Sequence, residues 1–239
     1  QLFGPVGLHQ LLKDMAPLIG RLDFHLEAAE LEPGDLVPHD GYEVEAFQVE
    51  HRTRALGYAV LEDDRPGELD PERAAELGVG FGPDLGALQN GQSVEGTSGT
   101  VSPEQVVGPE RHGRAVVFTG DTGPCQATIV AAADADLLIH DSSFMEEECE
   151  RAIETGHSTA AQAAEVANAA NVKMLALVHI SARYHVKAAL EEAKANFSNT
   201  VAPRDFDLVE LPFPERGEPK LVREGARRDS PDRADQAAD

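Results

Sequence analysis

Three short apolar runs each end in residues able to ligate a metal or carry a proton. Ala115-Val116-Val117-Phe118 passes into Thr119-Gly120-Asp121-Thr122, and Leu137-Leu138-Ile139 into His140-Asp141-Ser142-Ser143. Met174-Leu175-Ala176-Leu177-Val178 passes into His179-Ile180-Ser181-Ala182-Arg183-Tyr184. His51 closes a fourth run that begins at Val44, and His157-Ser158-Thr159 stands directly before a helix signal. Imidazole and carboxylate donors suit zinc or manganese, and a carboxylate able to bridge suits a two-metal hydrolase. Taken singly, each member has an ordinary explanation. A histidine at a strand end more often hydrogen-bonds within the fold, and an aspartate after glycine more often sits in a turn. The ordered set shifts that balance, because its members stand at the ends of elements, where α/β folds gather ligands. His9, His25, His39 and His112 lack this context and read as surface or structural residues.

The elements that must position these residues are legible in outline. The apolar runs at 115–119, 137–139 and 174–178 are short enough to be buried strands, and helical patterns lie between them. Thr159-Ala160-Ala161-Gln162 fits a capping box that opens a helix to Ala170, with Asn171 as its stop. The alanines of that helix allow close packing on a sheet. A second helix is expected from Val186 to Phe197 and a strand near Phe206 to Leu211. This alternation implies an α/β sandwich. Nearer the start, Leu2 to Gly7 reads as a strand running into a turn, followed by an apolar-periodic helix over Leu8–Leu18. Strand-like stretches follow at Tyr42–Val49 and Leu56–Leu61. Residues from about 62 to 114 are rich in Gly and Pro, with one helical piece at Pro71–Leu77, and read as an insertion or arm. The main domain is expected to span 1–214. From 215 to 239 the chain is charged and nearly devoid of apolar residues, and is expected to be disordered.

Composition narrows the function further. The chain has 239 residues, 20 Lys+Arg against 43 Asp+Glu, and a net charge of -23. A general basic surface for nucleic acid is therefore excluded. Only five residues are lysine, none of them between 14 and 172, and the acids are dispersed rather than gathered in a tail. Such a surface resembles proteins adapted to high intracellular salt, where screening relieves self-repulsion. The two cysteines, Cys125 and Cys149, have no CxxC spacing, which argues against a disulfide scaffold and a zinc ribbon. No apolar run approaches the ~18 residues of a membrane span, and no secretory signal opens the chain. A cytoplasmic protein with no membrane partner is expected.

With these residues in place, the chain is identified as resembling the ribonuclease Z family. The matching stretches are Phe118 to Thr122, Asp136 to Phe144, Gly156 to Ala164 and His179 to Tyr184, in order and with their apolar flanks. Val49 to Thr53 with Gly57-Tyr58 resembles the family's third metal motif, and Leu77 to Gly91 its Gly-Pro arm motif. The resemblance covers roughly residues 2–211. It implies a metallo-β-lactamase αββα sandwich, incomplete at its N-terminus, with a flexible arm. It also implies an endonuclease that cuts precursor tRNA at the 3′ end by attack of metal-activated hydroxide on the phosphodiester. The residue roles it implies are specific. His51 ligates one metal, His179 the second, and Asp121 bridges them. His140 and His157 stand beside the scissile phosphate; His140 is the favoured general acid, with Asp141 orienting it. Arg183, Tyr184, Ser158, Thr159, Gly82 and Pro83 are the expected substrate contacts. Two zinc ions per intact subunit, with manganese as an alternative, and a homodimer complete what the resemblance implies.

Three departures qualify it. The family's His-x-His-x-Asp-His string is absent from the sequence. The chain, which begins at Gln1, is therefore expected to be an N-terminally truncated piece that binds metal weakly and does not cleave by itself. Asp141 and Ser143 stand where the family carries Glu and Thr. The 62–114 stretch carries eleven acids against four arginines, an unfavourable charge for an RNA-gripping arm. Two alternatives stay open: a phosphodiesterase of the same fold acting on small substrates, and a non-catalytic subunit. The Gly-Pro motif speaks against the first and the retained His51, Asp121 and His179 against the second.

Overall fold

The computed structural model describes residues 1–223, and its contacts divide the chain into two compact units. One comprises Gln1–Leu61 together with the chain from Arg114, the other Glu62–Gly113. In chain order the strands are β1 (Leu2–Pro5), β2 (Ala28–Leu31), β3 (Leu36–His39), β4 (Tyr42–Gln48), β5 (Leu56–Glu62), β6 (Val94–Gly96), β7 (Gly99–Val101), β8 (Ala115–Phe118), β9 (Leu137–Asp141), β10 (Leu175–Val178), β11 (Thr200–Val201), β12 (Leu208–Glu210) and β13 (Lys220–Val222). The helices are α1 (Leu8–Ile19), α2 (Pro71–Glu76), α3 (Pro83–Gln89), α4 (Gln126–Ala131), α5 (Cys149–Thr155), α6 (Ala160–Ala169) and α7 (Val186–Asn196).

The first unit is built on a seven-stranded sheet in the order β11-β10-β9-β8-β5-β4-β3. Strands β8 to β11 run parallel, while β5 meets β8 antiparallel. Parallel strands need helical crossovers, which cover a sheet face and force the strands to be apolar. One face of the sheet carries Val117, Leu138, Leu175 and Leu177, packed with Ala163, Ala164 and Ala167 of α6 and Ala189 and Ala193 of α7. Alanine at these positions lets helix and sheet approach closely. The alternate residues Leu137, Ile139, Met174 and Ala176 face the other way and pack with Val209 and Leu211. Because the parallel strands share one direction, Asp121, Asp141 and His179 emerge at the same sheet edge.

α6 starts at the expected place. The Thr159 side chain accepts from the Gln162 N–H while the Gln162 side chain accepts from the Thr159 N–H. Asn171 follows with φ 55°, in the left-handed region that asparagine tolerates better than most residues. α1 also forms where apolar periodicity predicts it, but it buries none of its residues; Leu11, Met15, Leu18 and Ile19 are exposed.

The second unit has a small core of its own: Ala74, Val79, Leu88, Val101 and Val106. Besides α2, it contains α3 and the β6–β7 hairpin, which the sequence reading passes over. Pro83 at the first turn of α3 is a start signal, masked here by the surrounding glycines.

The expectation of disorder from 215 onward does not hold at its start. Lys220–Val222 pairs antiparallel with Leu208–Glu210, and Lys220 forms an ion pair with Glu210 at 2.8 Å. Leu221 and Val222 supply the apolar character that the charged composition conceals. Residues 224–239 lie outside the described part. Among the described residues, no helix is long and apolar enough to cross a membrane.

Candidate active site

The β8, β9 and β10 ends and the turn before α6 bring Asp121, Asp141, His157 and His179 together. One ligand atom from each lies within 4.8 Å of the others. Gly120, at φ 63°, turns the chain after β8 and presents Asp121 to solvent. His179 itself adopts φ 59°, an uncommon conformation for a residue with a Cβ, at the point where β10 ends.

Asp141 is the hub. Its carboxylate is wholly buried, a costly state unless its oxygens are satisfied. One oxygen accepts from the Thr122 N–H (3.0 Å) and from His157 Nδ1 (2.6 Å). The other accepts from the Ser143 N–H (2.8 Å) and the Ser143 hydroxyl (2.6 Å). With its hydrogen committed to Asp141, the Ser143 oxygen accepts from His179 Nδ1 at 2.6 Å. Asp141 therefore holds the ring proton of both histidines at Nδ1, accepting from His157 directly and from His179 through Ser143, and leaves Nε2 of each ring outside this network.

His51 is adjacent. Its ring centroid stands 5.1 Å from that of His157, and its Nδ1 donates to the Gly156 carbonyl at 2.7 Å. It lies outside the four-donor group, edge-on to the ring of His157. Gly156 is required here: its φ is 73°, and a Cβ would lie 3.1 Å from His51 Nδ1 and 3.0 Å from the Arg52 nitrogen.

His140 is placed differently from expectation. It is fully buried, and Asp141 orients it with a backbone carbonyl at 2.8 Å, not with its carboxylate. Its Nε2 is buried without a hydrogen-bond partner, and burial pushes its pKa below the ordinary 6.5. The Asp141 carboxylate is turned to His157 instead.

Ser158 and Thr159 are also buried and occupied. The Ser158 hydroxyl donates to the Thr122 carbonyl at 2.7 Å, and the Thr159 hydroxyl caps α6 while donating to Glu146 at 3.0 Å. Both hydroxyls are thus committed to partners within the fold. Arg183 lines a cavity of about 370 Å³ together with Ser143, Phe144, His157 and His179. Its guanidinium lies 5.3 Å from the Phe144 ring centroid and donates to Glu148 at 3.3 Å. Tyr184 donates its hydroxyl to the same Glu148 carboxylate. That grip is invisible in the sequence, where Glu148 is one member of an acidic run. The Ser143 link was findable: a serine two residues after an aspartate is an Asx-turn pattern. Gly82 and Pro83 lie in the second unit, at the start of α3.

The donor set fits a divalent cation. Asp121 and His179 are half-exposed and offer oxygen and nitrogen donors, while the Asp141 oxygens are already taken. Comparison with known proteins agrees with this chemistry. Residues 105–180 match the beta-lactamase superfamily domain. The chain is 49% identical to a ribonuclease Z from Haloferax volcanii over 195 residues, 80% of this chain and 62% of that protein. It is 44% identical to a ribonuclease Z from Halorubrum lacusprofundi over 220 residues, 90% of this chain and 71% of that protein. The chain belongs to the ribonuclease Z family. Against the Methanosarcina acetivorans member it is 43% identical over 216 residues, covering 89% of this chain and 70% of that protein. It thus spans roughly two thirds of its relatives' length. Among solved structures, the short form of human tRNase Z superposes with a TM-score of 0.56 at 22% identity, covering 88% of this chain and 67% of that one. The metallo-beta-lactamase fold protein YhfI from Bacillus subtilis gives 0.54 at 14% identity, covering 84% and 60%. The fold is that of the metallo-β-lactamase superfamily.

Proposed function

We propose that this chain carries part of the catalytic centre of a metal-dependent endoribonuclease that removes the 3′ trailer from precursor tRNA. The observation that carries this reading is the His157–Asp141 pair set against the exposed donors Asp121 and His179 at the edge of the Arg183 cavity. Asp121 and His179 would hold one metal ion and His51 a second; zinc is the expected metal, two ions per intact subunit. Bound there, a divalent cation supplies Lewis acidity, lowering the pKa of water and offsetting charge on the phosphate. His157 Nε2 carries the proton to the leaving 3′ oxygen, and the Asp141 carboxylate stabilises the imidazolium that precedes transfer. Arg183 meets a phosphate oxygen through the guanidinium donors that Glu148 leaves open. The working protein is a cytoplasmic homodimer adapted to high salt.

The test is cleavage of a precursor tRNA by the protein expressed from its full coding region. His157→Ala is expected to lower kcat by ~10²-fold or more with little change in KM. Asp121→Asn is expected to lower activity together with metal content. Full activity in both variants would remove the basis of the proposal. The 239-residue chain by itself, with its few open donors, is expected to bind zinc weakly by calorimetry and to leave the substrate uncut.

A further inference from the structure

The cavity beside the candidate centre differs in charge from the rest of the molecule. The chain has 43 acids and a net charge of -23, yet the lining of this cavity of about 370 Å³ carries no carboxylate. Two arginines, Arg151 and Arg183, reach it beside His157 and His179. Arg151 stands on α5, and within residues 146–154 it is the one base among five glutamates. Glu148, which is not part of the lining, holds the two arginines together. Its Oε1 lies 3.3 Å from Arg183 Nη1 and 3.7 Å from Arg151 Nη1, and its other oxygen accepts from the Tyr184 hydroxyl. The Arg151 contact is longer than a hydrogen bond, and the Arg151 side chain is 59% exposed. A pair of that kind, three residues apart on a helix surface, contributes little stability. Two guanidinium groups against one carboxylate leave net positive charge at the cavity wall.

We propose that Arg151 is a second phosphate-binding residue of this cavity, which with Arg183 grips the RNA backbone at a phosphodiester beside the reacting one. This rests on the reading of the protein as a metal-dependent endoribonuclease, and adds a residue to which that reading gives no role. Guanidinium groups match phosphate oxygens with paired donors. Glu148 keeps the two groups side by side, because both approach the same oxygen. An acidic molecule repels a polyanion at long range. Its hold on a phosphate must therefore come from short charge-assisted contacts where acid is excluded, and a lining without carboxylates provides that place. A cationic ligand would be repelled by the same two arginines.

The experiment measures steady-state cleavage of a precursor tRNA across a KCl series by the protein expressed from its full coding region, as wild type, Arg151→Ala and Arg151→Lys. Arg151→Ala is expected to raise KM about ten-fold with kcat within about two-fold, because a contact made equally in ground and transition states affects binding alone. The slope of log KM against log salt should become shallower by about one, as loss of one phosphate contact requires. A merely structural pairing with Glu148 would leave that slope where it was. Arg151→Lys keeps the charge but not the paired donors, and is expected to keep the wild-type slope and recover part of the KM. Unchanged KM and slope in Arg151→Ala, with an active wild type, overturns the proposal and leaves the endoribonuclease reading standing. A fall in kcat alone does the same. An equal loss in both variants, with a lower urea midpoint, also overturns it and makes Arg151 a structural partner of Glu148. Absence of cleavage by the wild type overturns both readings.

Discussion

Two histidines one element apart show how environment separates residues that look alike in sequence. His157 shares its Nδ1 proton with a buried carboxylate and keeps Nε2 toward a cavity. His140 is enclosed, and burial holds its pKa below 6.5. That depression has a thermodynamic consequence. Below 6.5 the unfolded chain binds a proton at His140 that the folded chain refuses, so stability rises with pH. The contribution is complete above 6.5 and is lost as pH falls toward the depressed folded value. His140→Asn, whose amide can still donate to the Asp141 carbonyl, is expected to flatten the decline in unfolding free energy between pH 7 and 5. One proton sets the ceiling on that change, ~1.4 kcal/mol per pH unit. Urea titrations at several pH values measure it; parallel profiles for the two proteins would show that His140 is not the acid-sensitive group.

At the scale of elements, the site depends on where three parallel strands stop and on the turn that enters α6. The β8, β9 and β10 ends supply Asp121, Asp141 and His179, and the turn between α5 and α6 supplies His157 against His51. Gly156 governs that turn. Gly156→Ala places a side chain in the left-handed region at a cost of ~1–2 kcal/mol and crowds His51 Nδ1 and the Arg52 nitrogen. It is expected to lower the unfolding free energy from urea titration by that amount, with a lower midpoint, and to weaken metal binding as His51 shifts. An unaltered midpoint would mean that the α5–α6 turn relaxes freely.

At the scale of the molecule, the excess of acid dominates. A net charge of -23 on a 239-residue chain produces self-repulsion that salt screens. Several charges are locally paired, Asp136 with Lys173 at 2.6 Å and Glu210 with Lys220 at 2.8 Å, but the cations are too few to neutralise the rest. Raising KCl from about 0.1 M to about 1 M shortens the screening length from ~10 Å to ~3 Å. The melting temperature is therefore expected to rise by several degrees, most steeply at the low-salt end. A flat or falling profile in differential scanning calorimetry would show that repulsion among the dispersed carboxylates does not limit stability.

The family, the strand–helix alternation and the capped start of α6 were legible in the sequence because each is local: a buried strand is a short apolar run, and a capping box spans four residues. The strand-end placement of Asp121, Asp141 and His179 followed from the same locality. Partnership did not. That the Asp141 carboxylate turns to His157 rather than His140 depends on alternation across β9, where neighbouring side chains face opposite sides of the sheet, and on a turn sixteen residues away. The burial of Ser158 and Thr159, the hold of Glu148 on Arg183 and Tyr184, and the pairing of Lys220–Val222 are likewise contacts between distant segments. Sequence determined which chemical groups this protein owns and at which element ends they stand. Tertiary structure decided which groups share a proton and which are sealed from solvent, because hydrogen-bond geometry and burial are set only when separate segments pack.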